Sequence, residues 1–209
     1  MRIMKGESAL QCGIACLLGL LSLKGPVLAQ SYGDSGRSAD IKIVRVEPKF
    51  VDTPDITFGG NYQKVGVPAG TPTKWLRVVL EFSSDADWAD NVDVRWYILP
   101  STDEKNPVMF ADSVTHINVK KGTHHYTAIY VPPRTVERFM RTFRVKQIAV
   151  QIWHNQKLMD TGGWPSSPKE RWWEAFTPTR GALLNLLQTP FYALEYDRYE
   201  QIRVAGPAP

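Results

Sequence analysis

Val92-Asp93-Val94-Arg95-Trp96-Tyr97-Ile98 sets Val92, Val94, Trp96 and Ile98 on one parity and Asp93, Arg95 and Tyr97 on the other. A period of two is the signature of a β-strand with one face on a core and the other toward water. The same period recurs on both sides. Leu76, Val78, Leu80 and Phe82 alternate with Arg77, Val79 and Glu81, and Ile148, Val150 and Ile152 alternate with Ala149, Gln151 and Trp153. Weaker strand patterns cover Ile41–Glu47, Phe50–Phe58, Val108–Val119 (interrupted), Tyr126–Val131 and Lys157–Asp160.

Turn-forming clusters separate these runs: Gly59-Gly60-Asn61, Pro68-Ala69-Gly70, Asp85–Asn91, Pro100–Pro107, Lys121-Gly122 and Asn155-Gln156. About seven or eight short strands, with a tryptophan on the third or fourth, predict an all-β, immunoglobulin-like sandwich over residues 41–163. No cysteine pair brackets Trp96, so the fold expected is the disulfide-free variety. An open barrel is the competing geometry.

Residues 164–209 change character and are read as a partly helical C-terminal extension. Ser167-Pro168-Lys169-Glu170 has the form of a helix start, with a serine cap, an early proline and a glutamate closing a capping box. Trp172, Trp173 and Phe176 would follow on that helix, with Trp172 and Trp173 about 100° apart. A second helical pattern puts Leu183 and Leu187 one turn apart, and Pro190 ends it. Phe191–Val204 suits a helix or a strand, and Ala205–Pro209 reads as a frayed tail.

The N-terminus sets the expected address. Arg2 and Lys5 precede an apolar run ending at Leu23, and Val27-Leu28-Ala29 supplies small or apolar residues before a cut at Ala29–Gln30. That order predicts a signal peptide over residues 1–29, followed by a flexible Gly/Ser-rich leader over residues 30–40. The chain is then expected to be exported, to the periplasm, outer membrane or cell surface. Both cysteines, Cys12 and Cys16, fall inside that segment, so the exported part would fold without disulfides. The roughly 180 residues left after cleavage can bury a full core unaided. A lipobox before Cys16 fits less well, since Gly13-Ile14-Ala15 matches only in its last two positions, and so does a prepilin site at Lys5-Gly6, since the apolar run stops at Leu23 and Gly13 and Gly19 interrupt it.

The net charge of +4 is carried by interleaved charges of both signs, not by the basic stripe that nucleic acid demands. His116, His124 and His125 suggest a metal cluster on paper. Adjacent strand residues point to opposite faces, however, so a solvated edge is the expected setting. Asp85, Asp87, Asp90 and Asp93 could face calcium, but the string lacks the glycine and terminal glutamate of an EF-hand, and a turn is the simpler reading. Gly33-Asp34-Ser35-Gly36 matches a serine-protease string only superficially and reads as leader. No G-x-S-x-G, H-E-x-x-H, Walker or dinucleotide motif is present. A hydrolase using two carboxylates from separate strands would leave no local signature and stands as a third reading.

Seven tryptophans make aromatic contact the strongest chemical signal. Trp96 is expected in the core. Trp172, Trp173, Phe176, Leu183 and Leu187 are the candidate partner-binding residues, unless the extension covers an edge of its own sandwich. Exposed tryptophans would also suit a carbohydrate-binding module.

The stretches RWYILPSTDEKNPVMF (Arg95–Phe110), QIWHNQKLMDTGGWP (Gln151–Pro165) and SSPKERWWEAFTP (Ser166–Pro178) resemble a family of verrucomicrobial envelope proteins of the Akkermansia type. Its members are described as pilus-like and are encoded beside type IV pilus outer-membrane and assembly components. The resemblance implies an immunoglobulin-like fold and a non-enzymatic structural or adhesive part in a pilus-like envelope system. Envelope or pilus-like assembly proteins are then the expected partners, with host or surface glycans second. It brings no catalytic, metal or cofactor residues. The short N-terminal apolar segment departs from true pilins, which points to an accessory or assembly role.

Overall fold

The computed structural model describes residues 40–54, 70–101 and 107–204. The proposed signal peptide, most of the leader, the Gly59–Asn61 turn and the Ala205–Pro209 tail lie outside the described residues. Strands β1 (Ile41–Asp52), β2 (Lys74–Ala89), β3 (Val92–Pro100), β4 (Met109–His116), β5 (Val119–Val131), β6 (Val145–His154) and β7 (Lys157–Trp164) build the body. Two short strands from the extension join them, β8 (Pro178–Thr179) and β9 (Leu184–Asn185). One sheet has the order β1-β2-β5-β9 and the other β7-β6-β3-β4-β8. All pairings are antiparallel except β4 with β8. This is an all-β, immunoglobulin-like sandwich with small helical additions.

The alternating residues face each other across the two sheets. Leu76, Val78, Leu80 and Phe82 of β2 and Ile129 and Val131 of β5 meet Val92, Val94, Trp96 and Ile98 of β3 and Ile148, Val150 and Ile152 of β6. Trp96 is completely buried. The sheets approach most closely along β1 and β7. There the Ile43 amide donates to Asp160 Oδ2 at 2.8 Å. A Cβ on Gly162 would lie 2.7 Å from Ile43 Cγ2, so only glycine allows this approach.

The interrupted pattern at Val108–Val119 resolves into β4 and the start of β5, with Asn118 in the left-handed region (φ 58°) at the tight connection. One helix breaks the strand pattern: α1 (Pro133–Phe139) follows β5 and carries Val136 and then Met140 into the core. Its signal lay in Pro133 at the first helical positions and the i, i+4 spacing of those two apolar residues.

The extension departs from the helices expected of it. Trp172–Ala175 forms a single 3-10 turn and Leu186–Gln188 another, while α2 (Tyr192–Glu195) is one turn long. A segment as short as that between Pro168 and Pro178 is helical only where packing favours it, and here Trp173 packs on Tyr97 from a 3-10 turn. Pro178 also biases Thr177 toward extended backbone, which suits the pairing of β8 with Met109 and Phe110. Beyond it, Gly181 (φ 75°) and the pairing of β9 with Ile129 and Tyr130 replace the second helix.

Candidate interaction surface

The extension packs on part of both outer faces of its own sandwich. On the β6-β3-β4 face, Trp173 is buried and stacks on Tyr97, with centroids 5.1 Å apart and planes 18° apart. Leu99, Met109 and Ala149 complete that cluster, with Trp172 and Phe176 packed at its side. Ala182 and Leu183 then enter the main core. On the β2-β5 face, Leu186, Phe191 and Tyr199 cover Trp75, Ala128 and Tyr130. Phe191 stacks on Tyr130 at 5.0 Å and meets Trp75 edge-on at 5.6 Å.

Polar groups anchor the second half of this wrap. Glu195 takes hydrogen bonds from Arg77 Nη1 at 2.8 and 3.2 Å and from the Tyr130 hydroxyl at 3.5 Å. Burial pushes the Tyr130 phenol well above its ordinary range. The strap then returns to the far end of the sandwich and bonds both sheets. The Glu200 amide donates to Tyr126 O at 2.9 Å, the Arg203 amide to Thr115 O at 2.8 Å, and Gln201 O accepts from the Ile117 amide at 3.0 Å.

Beneath that return lie two buried histidines, a correction to the solvated edge expected of them. His116 is fully buried with Nδ1 3.3 Å from Glu200 O, and burial depresses its pKa from 6.5 to about 4. His125 packs on Phe82 at 5.3 Å with Nδ1 2.7 Å from Glu200 Oε1. A Cβ on Gly122 would lie 2.9 Å from His125 Nε2, so that glycine makes room for the ring. His124 points the other way, exposed, to Glu81 Oε1 at 2.8 Å. The His124 hydrogen bond, with those of Tyr126 and the charge of Arg45, holds Glu81 below the usual carboxylate range. Among the described residues no three His, Cys, Asp or Glu side chains converge as a metal site.

The acidic stretch is mostly strand, not turn, since β2 runs to Ala89 and only Asp90-Asn91 turns, with Asn91 at φ 59°. Two of its carboxylates serve other segments, Asp85 accepting the Asp40 amide and Asp90 the Asn118 amide at 2.8 Å, while Asp93 pairs with Arg95 on its own strand at 2.9 Å.

The five candidate residues therefore separate. Trp173 and Leu183 are buried, at 6% and 2% exposure, and are not free to meet a partner. Trp172 and Phe176 are half-buried, and Leu187 is exposed. Besides Leu187, the extension's outward large apolar side chains are Tyr192, Leu194, Tyr196 and Val204. Tyr192 and Tyr196 are four apart across α2, a spacing visible in the sequence but ambiguous there between helix and strand. Trp88, 68% exposed near the end of β2, is the tryptophan most open to solvent. Among the described residues no helix is long and apolar enough to cross a membrane.

A self-covered immunoglobulin-like sandwich is thus the class that fold and surface define. A family model matches residues 33–205, and the chain belongs to that family, the Akkermansia-type family that its sequence resembles. A crystal structure of a protein from Akkermansia muciniphila superposes with a TM-score of 0.67 at 21% identity, covering 81% of this chain and 95% of that one. At that identity the likeness establishes a shared fold. No curated protein matches the chain.

Proposed function

We propose that the protein is a non-enzymatic structural, adhesive or assembly component of a pilus-like cell-envelope system, exported and acting through protein contacts. One observation carries the reading. The extension spends its largest apolar side chains on the protein's own sheet faces and still turns Leu187, Tyr192, Leu194 and Tyr196 to solvent. Tyrosines held on an anchored, rigid segment lose little entropy on binding and are favoured at protein interfaces. Membership of the Akkermansia-type family is consistent with an envelope partner.

The test is crosslinking in envelope fractions of the native organism, comparing the wild-type protein with a Tyr192→Ser/Tyr196→Ser variant. The reading expects pilus-like or outer-membrane assembly proteins to be recovered with the wild type and lost with the variant, at unchanged thermal stability. Equal recovery with both proteins counts against it.

The second reading, a carbohydrate-binding module, is favoured by exposed Trp88. A glycan array on which Trp88→Ala loses a signal given by the wild type would establish it.

A further inference from the structure

The segment Pro133–Lys146 holds Arg134, Arg138, Arg141, Arg144 and Lys146 against one carboxylate, Glu137. Arg134, Arg138 and Arg141 border a groove of about 670 Å³ between α1 and the start of β2, with Pro72, Pro133 and Phe143 in its walls and Glu137 as its one carboxylate, so the arginines outnumber it three to one. All three arginines are exposed, and among the described residues none has an acidic partner. Lys74, also on the groove, is already engaged by Asp52 at 2.7 Å. Three guanidinium groups with no acidic partner among the described residues, beside one concave surface, make a site for anions, because each can bind a carboxylate through two parallel hydrogen bonds.

Two further features shape the site. The Arg138 guanidinium lies 4.7 Å from the Phe139 ring centroid, which restrains its orientation before any ligand arrives. Phe143 is half exposed with φ at +49°, a conformation uncommon for a bulky residue, and is held edge-on to Phe50 at 5.5 Å. That conformation closes the turn between α1 and β6, where the Phe143 amide donates to Met140 O at 2.7 Å and leaves the ring facing outward.

The spacing selects the occupant. Arg134 and Arg138 are separated by four residues of α1, a rise of about 6 Å. Side chains on one face of an extended strand repeat every two residues, about 6.6 Å. We propose that this groove docks an extended acidic segment of a partner polypeptide, with carboxylates at alternate positions facing the α1 arginines. The prolines and Phe143 then meet the segment's apolar side chains. The groove shares no lining residue with α2, and the proposal does not depend on the role of its tyrosines.

The test uses fluorescein-labelled (Glu-Val)₄ peptide and measures anisotropy at low and physiological ionic strength. Binding should weaken with salt and fall at least tenfold in Arg134→Ala/Arg138→Ala, whose thermal midpoint should not move, both side chains being exposed. Lys120→Ala/Lys121→Ala removes the same charge at the opposite end of β5 and should leave binding intact. A Glu-Glu-Val-Val repeat of equal charge should bind several-fold more weakly. Equal loss in the two double variants would reduce the effect to net charge and overturn the proposal. So would equal binding of the two peptides, or stronger arginine-dependent binding of heparin or phosphatidylglycerol vesicles.

Discussion

Glu200 Oε1 stands 2.7 Å from His125 Nδ1, while the Glu200 carbonyl oxygen lies 3.3 Å from His116 Nδ1. One residue of the C-terminal strap thus meets a buried histidine from each sheet, His125 on β5 and His116 on β4, at the same end of the sandwich. Glu200→Ala should destabilise the protein by about 1–3 kcal/mol, because it strands the buried His125 donor. Glu200→Gln, which keeps an acceptor oxygen, should cost less. Urea unfolding midpoints separate the two.

His116 makes the fold sensitive to acid. Its folded pKa of about 4 lies below the ordinary 6.5, so the folded state favours the neutral ring. The associated stability is fully present above pH 6.5 and is lost as pH falls from there toward 4, about 3 kcal/mol across the window. Chemical unfolding at intervals from pH 7.5 to 4 should show that decline, and His116→Phe should flatten that share of it. An unchanged slope in the variant would remove His116 as its cause.

Trp96 fills the centre of the core with no exposed surface. Trp96→Ala should cost about 3–5 kcal/mol, the range for large aromatic deletions in cores. That is a large fraction of an ordinary domain's stability. An unshifted urea midpoint would contradict the placement.

Arg77 and Glu195 form a salt bridge of 2.8 Å with side chains only 15% and 21% exposed. Glu195→Gln should destabilise by about 1–3 kcal/mol, since it leaves a half-buried cation without its counter-charge. Arg77→Met/Glu195→Leu should recover much of that loss. A double-mutant cycle measures the coupling.

The sandwich was legible because burial imposes a period of two, and β2, β3 and β6 carry that period without interruption. What the sequence concealed was the second use of those strands. Tyr97 sits on the parity that the alternation assigns to water, and Trp75 and Tyr130 also point away from the main core, yet their faces are covered by residues far along the chain. Nothing local to Tyr97 announces Trp173. The same blindness misjudged the histidines, since the burial of His116 and His125 depends on a strap more than seventy residues away. In the extension, capping and leucine spacing suggested helices, but prolines and short strand pairings decided its path. Of the candidate contact residues, Trp173 and Leu183 proved internal, and the outward tyrosines of α2 lay in the segment whose period was ambiguous.

The central claim is that the C-terminal extension is part of the domain's own packing and offers partners only its outer side. Removing residues 164–209 and following the remainder by near-ultraviolet circular dichroism and sedimentation tests it most directly. The account predicts loss of the fixed aromatic signal and aggregation, because Tyr97, Leu99, Met109, Trp75 and Tyr130 lose their cover together. A truncated protein that stays monomeric, keeps its tertiary signal and unfolds cooperatively would contradict it.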